Sequence, residues 1–401
     1  MATNAKTRKT ARYAVPVAVA GVAAATVAMV PAFANSGSPD LPPVTAQQLI
    51  EKVAASDVQQ LSGSARITTD LGLPTLASGL LGGAAGGAGG GGGSADPQDR
   101  IAQLANGTHT VRVAADGPDR QKLTFVDGKD EYSVIHNGAD VWGYDSKSNE
   151  VWHEKNQDAG KQAGRPAGSP QQLAQEILKA AGPTTDVGVG DTAQVAGRDA
   201  YQLVLKPKQS GSTIASVKIA VDAKNGVPLR VQLLATEGGK PIVDAGFTKV
   251  DFAKPSADTF AFTAPKGAKV TEGADHAPGK AGKDDKDGKE WKGLEAFPGL
   301  EGLTGAAGGK GETKVLGEGW ATIARIDTGL GKSLKELEND KNAPKEAKQF
   351  LGSLGDKVSG KFGEGRLFKT RVVNALITDD GKVYVGAVTK DALVKAADAN
   401  K

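Results

Sequence analysis

The chain contains no cysteine. That excludes a disulfide scaffold and every thiolate metal site, so stability must come from an ordinary apolar core. Histidine is almost as scarce. His109, His136, His153 and His276 are the four in 401 residues, and no two stand at helical or alternate spacing. No local His-His or His-x-x-x-His zinc site exists, and no metal is expected even though His136 and His153 fall on hairpin strands that can approach each other. A large excess of charge is missing too. The formal charge of +3 includes the cations Lys6, Arg8, Lys9 and Arg12, and without those four the balance is −1. Such a balance gives no reason to expect nucleic acid or an anionic membrane surface as the partner.

Signatures of catalysis are absent as well. No serine sits in a G-x-S-x-G elbow. Gly331-Lys332-Ser333 ends like a phosphate-binding loop, but Ile326 stands where its first glycine belongs. Asp285-x-Asp287-Gly288 resembles part of a calcium loop, yet its first and twelfth positions are Lys283 and Leu294. No catalytic residue and no cofactor is assigned, and the chain is read as a binding protein rather than an enzyme.

What is present begins with an export signal. Residues 1–13 are basic, Ala14 to Ala34 carry no charge, and the stretch closes on Ala32-Phe33-Ala34. A basic head, an apolar middle and small residues at the end form the secretory pattern, so 1–34 reads as a signal peptide and the mature chain as extracytoplasmic, secreted or held at the cell envelope. No Arg-Arg pair is present, which favours the general secretory route. The alternative is an N-terminal membrane anchor, since roughly 20 apolar residues just span a bilayer. No later stretch is apolar enough to be a second span.

Residues 35–44 read as a flexible lead-in. From Thr45, apolar positions Leu49, Ile50, Val53, Ala54, Val58 and Leu61 lie at helical spacing, with Thr45 as the cap. Strands follow. SGSARITTD alternates, and after a disordered glycine insertion at 82–94 come THTVRVAAD, RQKLTFVD, EYSVIHN, DVWGYDS and EVWHEK. Asp-Gly and Asn-Gly pairs between them are hairpin signals, because type I′ turns need positive φ. A second helix is expected over SPQQLAQEILKAAG, with Ser169 at the cap and Gly182 beyond the end. TDVGVGDTAQVA, DAYQLVLKP, IASVKIAVD, PLRVQLLAT and IVDAGFTKVDF complete about eleven strands, whose short connections make antiparallel neighbours. Residues 271–312 read as a solvated linker. Residues 313–401 read as a small α+β unit of three strands and a closing helix capped by Thr389, with a helical piece over 333–354 and a hairpin turn at Asp380-Gly381.

Two stretches carry a family resemblance. YQLVLKPKQSGSTIASVKIAVDAKNGVPLRVQLL, followed by FTKVDFAKPSADTFAFTAPKGAKV, resembles the strand, hairpin and closing segment of LolA-like lipoprotein carriers and RseB-type sensors, including the actinobacterial exported branch. DVWGYDSKSNEVWH resembles the midchain hairpin of that group, and RLFKTRVVNALITDDGKVYVGAV the tail of its actinobacterial members. The resemblance covers about 45–270. It implies an α+β, mainly antiparallel fold: an unclosed half β-barrel of about eleven strands with helices over its concave face. It further implies acyl chains of a lipid or lipoprotein as ligand, in a carrier or chaperone. The alternative is an RseB-like envelope sensor acting on a membrane-anchored anti-sigma factor. The residues placed in such an apolar cavity are Ile67, Leu123, Phe125, Trp142, Tyr144, Leu203, Leu205, Val217, Ile219, Val221, Leu229, Val231 and Leu233. In Gram-negative relatives the partner is an outer membrane, so lipoprotein transport itself does not carry over with the resemblance.

If the signal is removed after Ala34, N-terminal sequencing of protein recovered from its own host should begin at Asn35. An intact N-terminus in the membrane fraction would identify an anchor instead.

Overall fold

A computed structural model describes residues 38–72, 95, 107–155, 174, 177–178, 182–273, 313–327 and 355–400. The signal 1–34, the glycine insertion 82–94, most of the stretch 271–312 and the helical piece 333–354 lie outside the described residues.

The seam of the larger sheet is β1 (Gln60–Thr69). On one side it pairs with β2 (Gly107–Asp116), which opens an antiparallel meander through β3 (Arg120–Asp127), β4 (Asp130–Asn137), β5 (Asp140–Asp145) and β6 (Glu150–Lys155). Glycines at 117, 128 and 138 close these hairpins with φ of 80°, 63° and 66°, the conformation the Asp-Gly and Asn-Gly signals demand. After β7 (Thr185–Val189) and β8 (Ala193–Val195), a second meander runs through β9 (Arg198–Pro207), β10 (Ile214–Asp222), β11 (Pro228–Ala235) and β12 (Val243–Asp251). β12 returns to β1 and joins the two meanders. Gly63 makes that return possible, because a Cβ there would stand 2.4 Å from the Lys249 carbonyl oxygen. The pairing then shifts register between Ser64 and Ala65, the mark of a bulge.

The sheet has 13 strands in the order β13-β6-β5-β4-β3-β2-β1-β12-β11-β10-β9-β7, with β8 on β9, and is unclosed among the described residues. It is the largely antiparallel, open sheet expected from the sequence, with three differences in detail. The segment expected as one strand over 185–196 is two, β7 and β8, both against β9. Between them the Gly190 amide donates to the Gln202 carbonyl at 2.8 Å and the Thr192 hydroxyl to the Pro39 carbonyl at 2.7 Å, which turns the chain off the ladder. β13 (Lys269–Glu272) is unforeseen and lies parallel to β6, a pairing reached only through the long connection after β12. The first helix, α1 (Ala46–Ala54), is shorter than its apolar stripe suggested. Its capping box of Thr45 and Gln48 is present, but Ser56 and Asp57 propagate a helix poorly. From Gln60 the backbone is taken by β2, so Leu61 is buried from a strand instead.

One face of the sheet makes the core. The register aligns Ile67, Ala245, Val231, Ile219 and Leu203 in a single row across five strands. Leu49 and Val53 of α1 cover it, with Ala174 and Ile177, helical residues of the second expected helix. Each such aliphatic side chain contributes about 1.5–3 kcal/mol by burial.

A 6-stranded antiparallel sheet follows, ordered β14 (Thr313–Leu316), β15 (Ile323–Asp327), β19 (Lys382–Gly386), β18 (Asn374–Thr378), β17 (Gly363–Lys369) and β16 (Asp356–Gly360). α2 (Lys390–Ala399), capped by Thr389 as expected, packs on it through Leu393 and Ala397. Three strands were expected here. The turn between β17 and β18 carries no sequence signal, since it holds no glycine, proline or Asn-Gly pair; instead the Thr370 hydroxyl donates to the Val373 carbonyl at 2.7 Å. Both sheets belong to one compact unit, residues 37–401. The smaller sheet is fastened to strand ends of the larger. The Thr213 amide donates to the Ala387 carbonyl at 3.0 Å, Arg371 pairs with Asp70 at 2.7 Å, and Trp320 Nε1 donates to Thr185 Oγ1 at 2.8 Å.

At the opposite end of β10, Asp222 is buried, its side chain 1% exposed, and paired with Arg198. Its Oδ1 also accepts the amides of Lys224 at 2.9 Å and Asn225 at 3.0 Å, which shapes the β10–β11 hairpin. Burial pushes this carboxyl up, but the Arg198 hydrogen bond and the two amides outweigh it and hold the group below its ordinary value. A carboxyl lowered in the folded state stabilises above the unfolded value of about 4 and loses that contribution as pH falls. Asp222→Asn should therefore cost about 3–5 kcal/mol in chemical denaturation at neutral pH. The variant should also lose less stability than the parent on acidification.

Candidate functional site: the two faces of the large sheet

Alternation sends successive side chains to opposite faces, and the ladder registers fix which residues share one. Ile67, Leu203, Leu205, Val217, Ile219, Val221, Leu229, Val231 and Leu233 lie on the core face. All but Ile67 are at most 1% exposed. Leu123 and Phe125 lie on the same face, because Phe125 is opposite Val111 and Val111 opposite Ala65. The structure thus brings these candidates onto one continuous apolar surface.

That surface changes character along the sheet. Over β9–β12 it is sealed beneath α1 and the helical residues 174, 177 and 178. Over β3–β6 it carries Phe125, Val134, Val141 and Trp152, all only half-buried, beside the buried Leu123 and Tyr132. Phe125 and Tyr132 stack with ring centroids 6.2 Å apart. The Tyr132 hydroxyl donates to the Ala95 carbonyl at 3.0 Å, so the chain crosses this face at residue 95. Gly143 is required there, since a Cβ would stand 2.3 Å from the Ala95 oxygen. Val134, Val141 and Trp152 belong to this surface although they were not among the candidates. Their signal was parity: the β5–β6 hairpin puts Trp152 opposite Gly143, out of phase with Trp142.

Trp142 and Tyr144 are on the other face. Tyr144 is opposite Ser133, Ser133 opposite Thr124, and Thr124 opposite Arg112, a polar row. There the connection after β12 crosses the sheet. Its 3-10 turn Ala257–Phe260 packs on β3 and β4. Phe262 stands 5.4 Å from the Trp142 ring and 5.7 Å from Tyr144. The chain then forms β13. His153 stacks on Trp142 at 3.7 Å; its Nε2 meets Asp140 Oδ1 and its Nδ1 meets Glu272 Oε2, each at 2.9 Å. The His153 side chain is only 8% exposed. Held between two carboxylates and a ring, it fixes the edge strand in place, and Lys269 adds an ion pair to Glu150 at 3.3 Å. His136 projects from the core face, so the two histidines do not meet. Among the described residues no group of three or more His, Cys, Asp or Glu side chains has the geometry to hold a metal.

No family model matches the chain, and no curated protein matches it. Solved structures do. A chain of the Pseudomonas aeruginosa MucA/MucB complex is 15% identical, with 88% of this chain and 96% of that chain covered and a TM-score of 0.37. A LolA superfamily protein from Nitrosomonas europaea is 11% identical, with 55% and 99% covered and a TM-score of 0.21. A conserved protein from Thermus thermophilus is 13% identical, with 57% and 98% covered and a TM-score of 0.31. These neighbours include the LolA and RseB-like group that the strand and turn motifs resemble. At such TM-scores the likeness adds no weight to a functional reading.

If His153 anchors the edge, His153→Ala should speed hydrogen exchange of the Gly273 amide, which donates to the His153 carbonyl, by about tenfold. Exchange at β10 should stay unchanged. Equal rates in parent and variant at Gly273 would show that backbone pairing alone holds β13.

Proposed function

We propose that this chain is an exported cell-envelope protein that holds acyl chains of a lipid or lipoprotein against the apolar face of its large sheet, binding them rather than transforming them. The observation that carries this reading is the change along that face. The same alternation that builds a sealed core over β9–β12 continues across β3–β6, where Phe125, Val134, Val141 and Trp152 keep part of their surface open. A core has no need to extend an apolar face beyond the cover that the described residues give it, whereas a lipid carrier must shield methylenes at about 0.8 kcal/mol each. The basic and apolar leader supports export. No helix among the described residues is long and apolar enough to cross a membrane.

A second reading is an RseB-like regulator that acts on a membrane-anchored protein. What favours it is the second sheet, clamped by Arg371 and Thr213 to strand ends of the first, an addition that lipid shielding alone does not require.

Organic extraction and mass spectrometry of protein purified from its host should recover an acylated ligand. Titration with a fluorescent fatty acid should show binding that Phe125→Asp weakens about tenfold to a hundredfold. Lipid-free protein without acyl affinity would sink the carrier reading. Co-purification of a single-pass membrane protein with such lipid-free protein would favour the regulator.

A further inference from the structure

The face opposite the core has a composition of its own between β8 and β1. Its outward positions include Gln202 of β9, Lys218 and Ala220 of β10, Arg230 and Gln232 of β11, Asp244 and Gly246 of β12, and Ser64, Arg66 and Thr68 of β1. Carboxylates here are already engaged. Asp244 accepts both Arg230 Nε at 2.7 Å and Gln232 Nε2 at 3.2 Å, and Asp222 is held by Arg198. Asp251, at the far end of β12, accepts the Ala253 amide at 2.9 Å. The cations are in excess. Arg66 and Lys249 are exposed and Lys218 is half-buried, and none of the three has an acidic partner among the described residues.

Geometry concentrates that excess. Gly246 stands between Arg66 and Arg230 in one row, and the Arg230 stem lies across it, since a Cβ there would meet Arg230 Cγ at 2.8 Å. Beside this row, β8 folds back over the sheet and reaches β12. It leaves a cleft of about 40 Å³ lined by Gln194, Gln202, Lys218, Arg230 and Gln232. Lys218 brings to this space a cation without an acidic partner among the described residues, while Arg230 and Gln232 are shared with Asp244 and Gln194 with Asp199; the remaining N–H groups of these side chains suit an oxyanion oxygen beside Lys218.

We propose that this face docks on a membrane of anionic phospholipid, with one headgroup phosphate seated in the cleft beneath β8 and Arg66 and Lys249 resting on neighbouring headgroups. Whole-chain charge gave no hint of such a partner, because the excess is local to one face. The surface lies on the side of the sheet away from the apolar face, so docking and acyl binding are separate properties.

The test uses the mature chain and sedimentation with vesicles of phosphatidylcholine alone or with about a third phosphatidylglycerol. Binding is expected to the anionic vesicles only, and to weaken with added salt. The triple variant Arg66→Gln/Lys218→Gln/Lys249→Gln should bind on the order of a hundredfold more weakly. It should keep the parent's melting temperature and its affinity for a fluorescent fatty acid. Equal binding to both vesicle types, no binding by the parent, or an unaltered triple variant would each overturn the proposal. Calorimetric binding of inorganic phosphate without vesicle binding would overturn the membrane as its source.

Discussion

The fold depends on the two-sided pairing of β1. Each meander is a set of local hairpins, and neither covers the other until β12 returns beside a strand laid down almost two hundred residues earlier. That contact is made at Gly63, where only hydrogen fits against the Lys249 carbonyl, and is adjusted by the bulge at Ser64 and Ala65. Once it forms, the Ile67–Ala245–Val231–Ile219–Leu203 row becomes continuous, and the helices have a surface to cover.

Local features were legible in the sequence because they are local physics. Glycines at 117, 128 and 138 take the positive φ their hairpins need, and Thr45 and Thr389 cap the helices assigned to them. Alternation placed the aliphatic candidates of β9–β11 on one face. Phase between neighbouring strands was not legible, because it depends on how many residues each hairpin spends in its turn. For that reason Trp142 and Tyr144, grouped with Leu123 and Phe125 by strand proximity, stand on the reverse side, and Trp152 takes the place beside Phe125's face that they were given. β13 was illegible for another reason. Four residues against a parallel neighbour carry no alternation of their own, and what holds them, His153 with Glu272, is 119 positions apart in sequence.

The two faces divide the chemistry over one half of the sheet and mix it over the other. Over β9–β12 and β1, aliphatic residues occupy one face and hydroxyls, carboxamides and charged groups the other, as expected of an antiparallel sheet that is wet on one side; over β4–β6 the faces are mixed, with His136, Asp145 and Glu154 on the core face and the buried Ile135 and Val151 on the reverse. Where the wet side must be crossed, between β3 and β13, aromatic residues reappear to receive Phe260 and Phe262. Strand register therefore decides which residues share a face more than residue type does.

The contact between Arg371 and Asp70 spans 301 positions, and the β1–β12 ladder closes only when Asp251 is available. A chain synthesised from its N-terminus therefore leaves one border of its first strand bare until β12 is made. Ser62, Ser64, Arg66 and Thr68 along that border are polar, and Arg66 puts a charge where two such half-finished chains would otherwise zip together. The residues that face solvent in the finished molecule are also those that put polarity and charge on its first strand while that strand waits for its second partner.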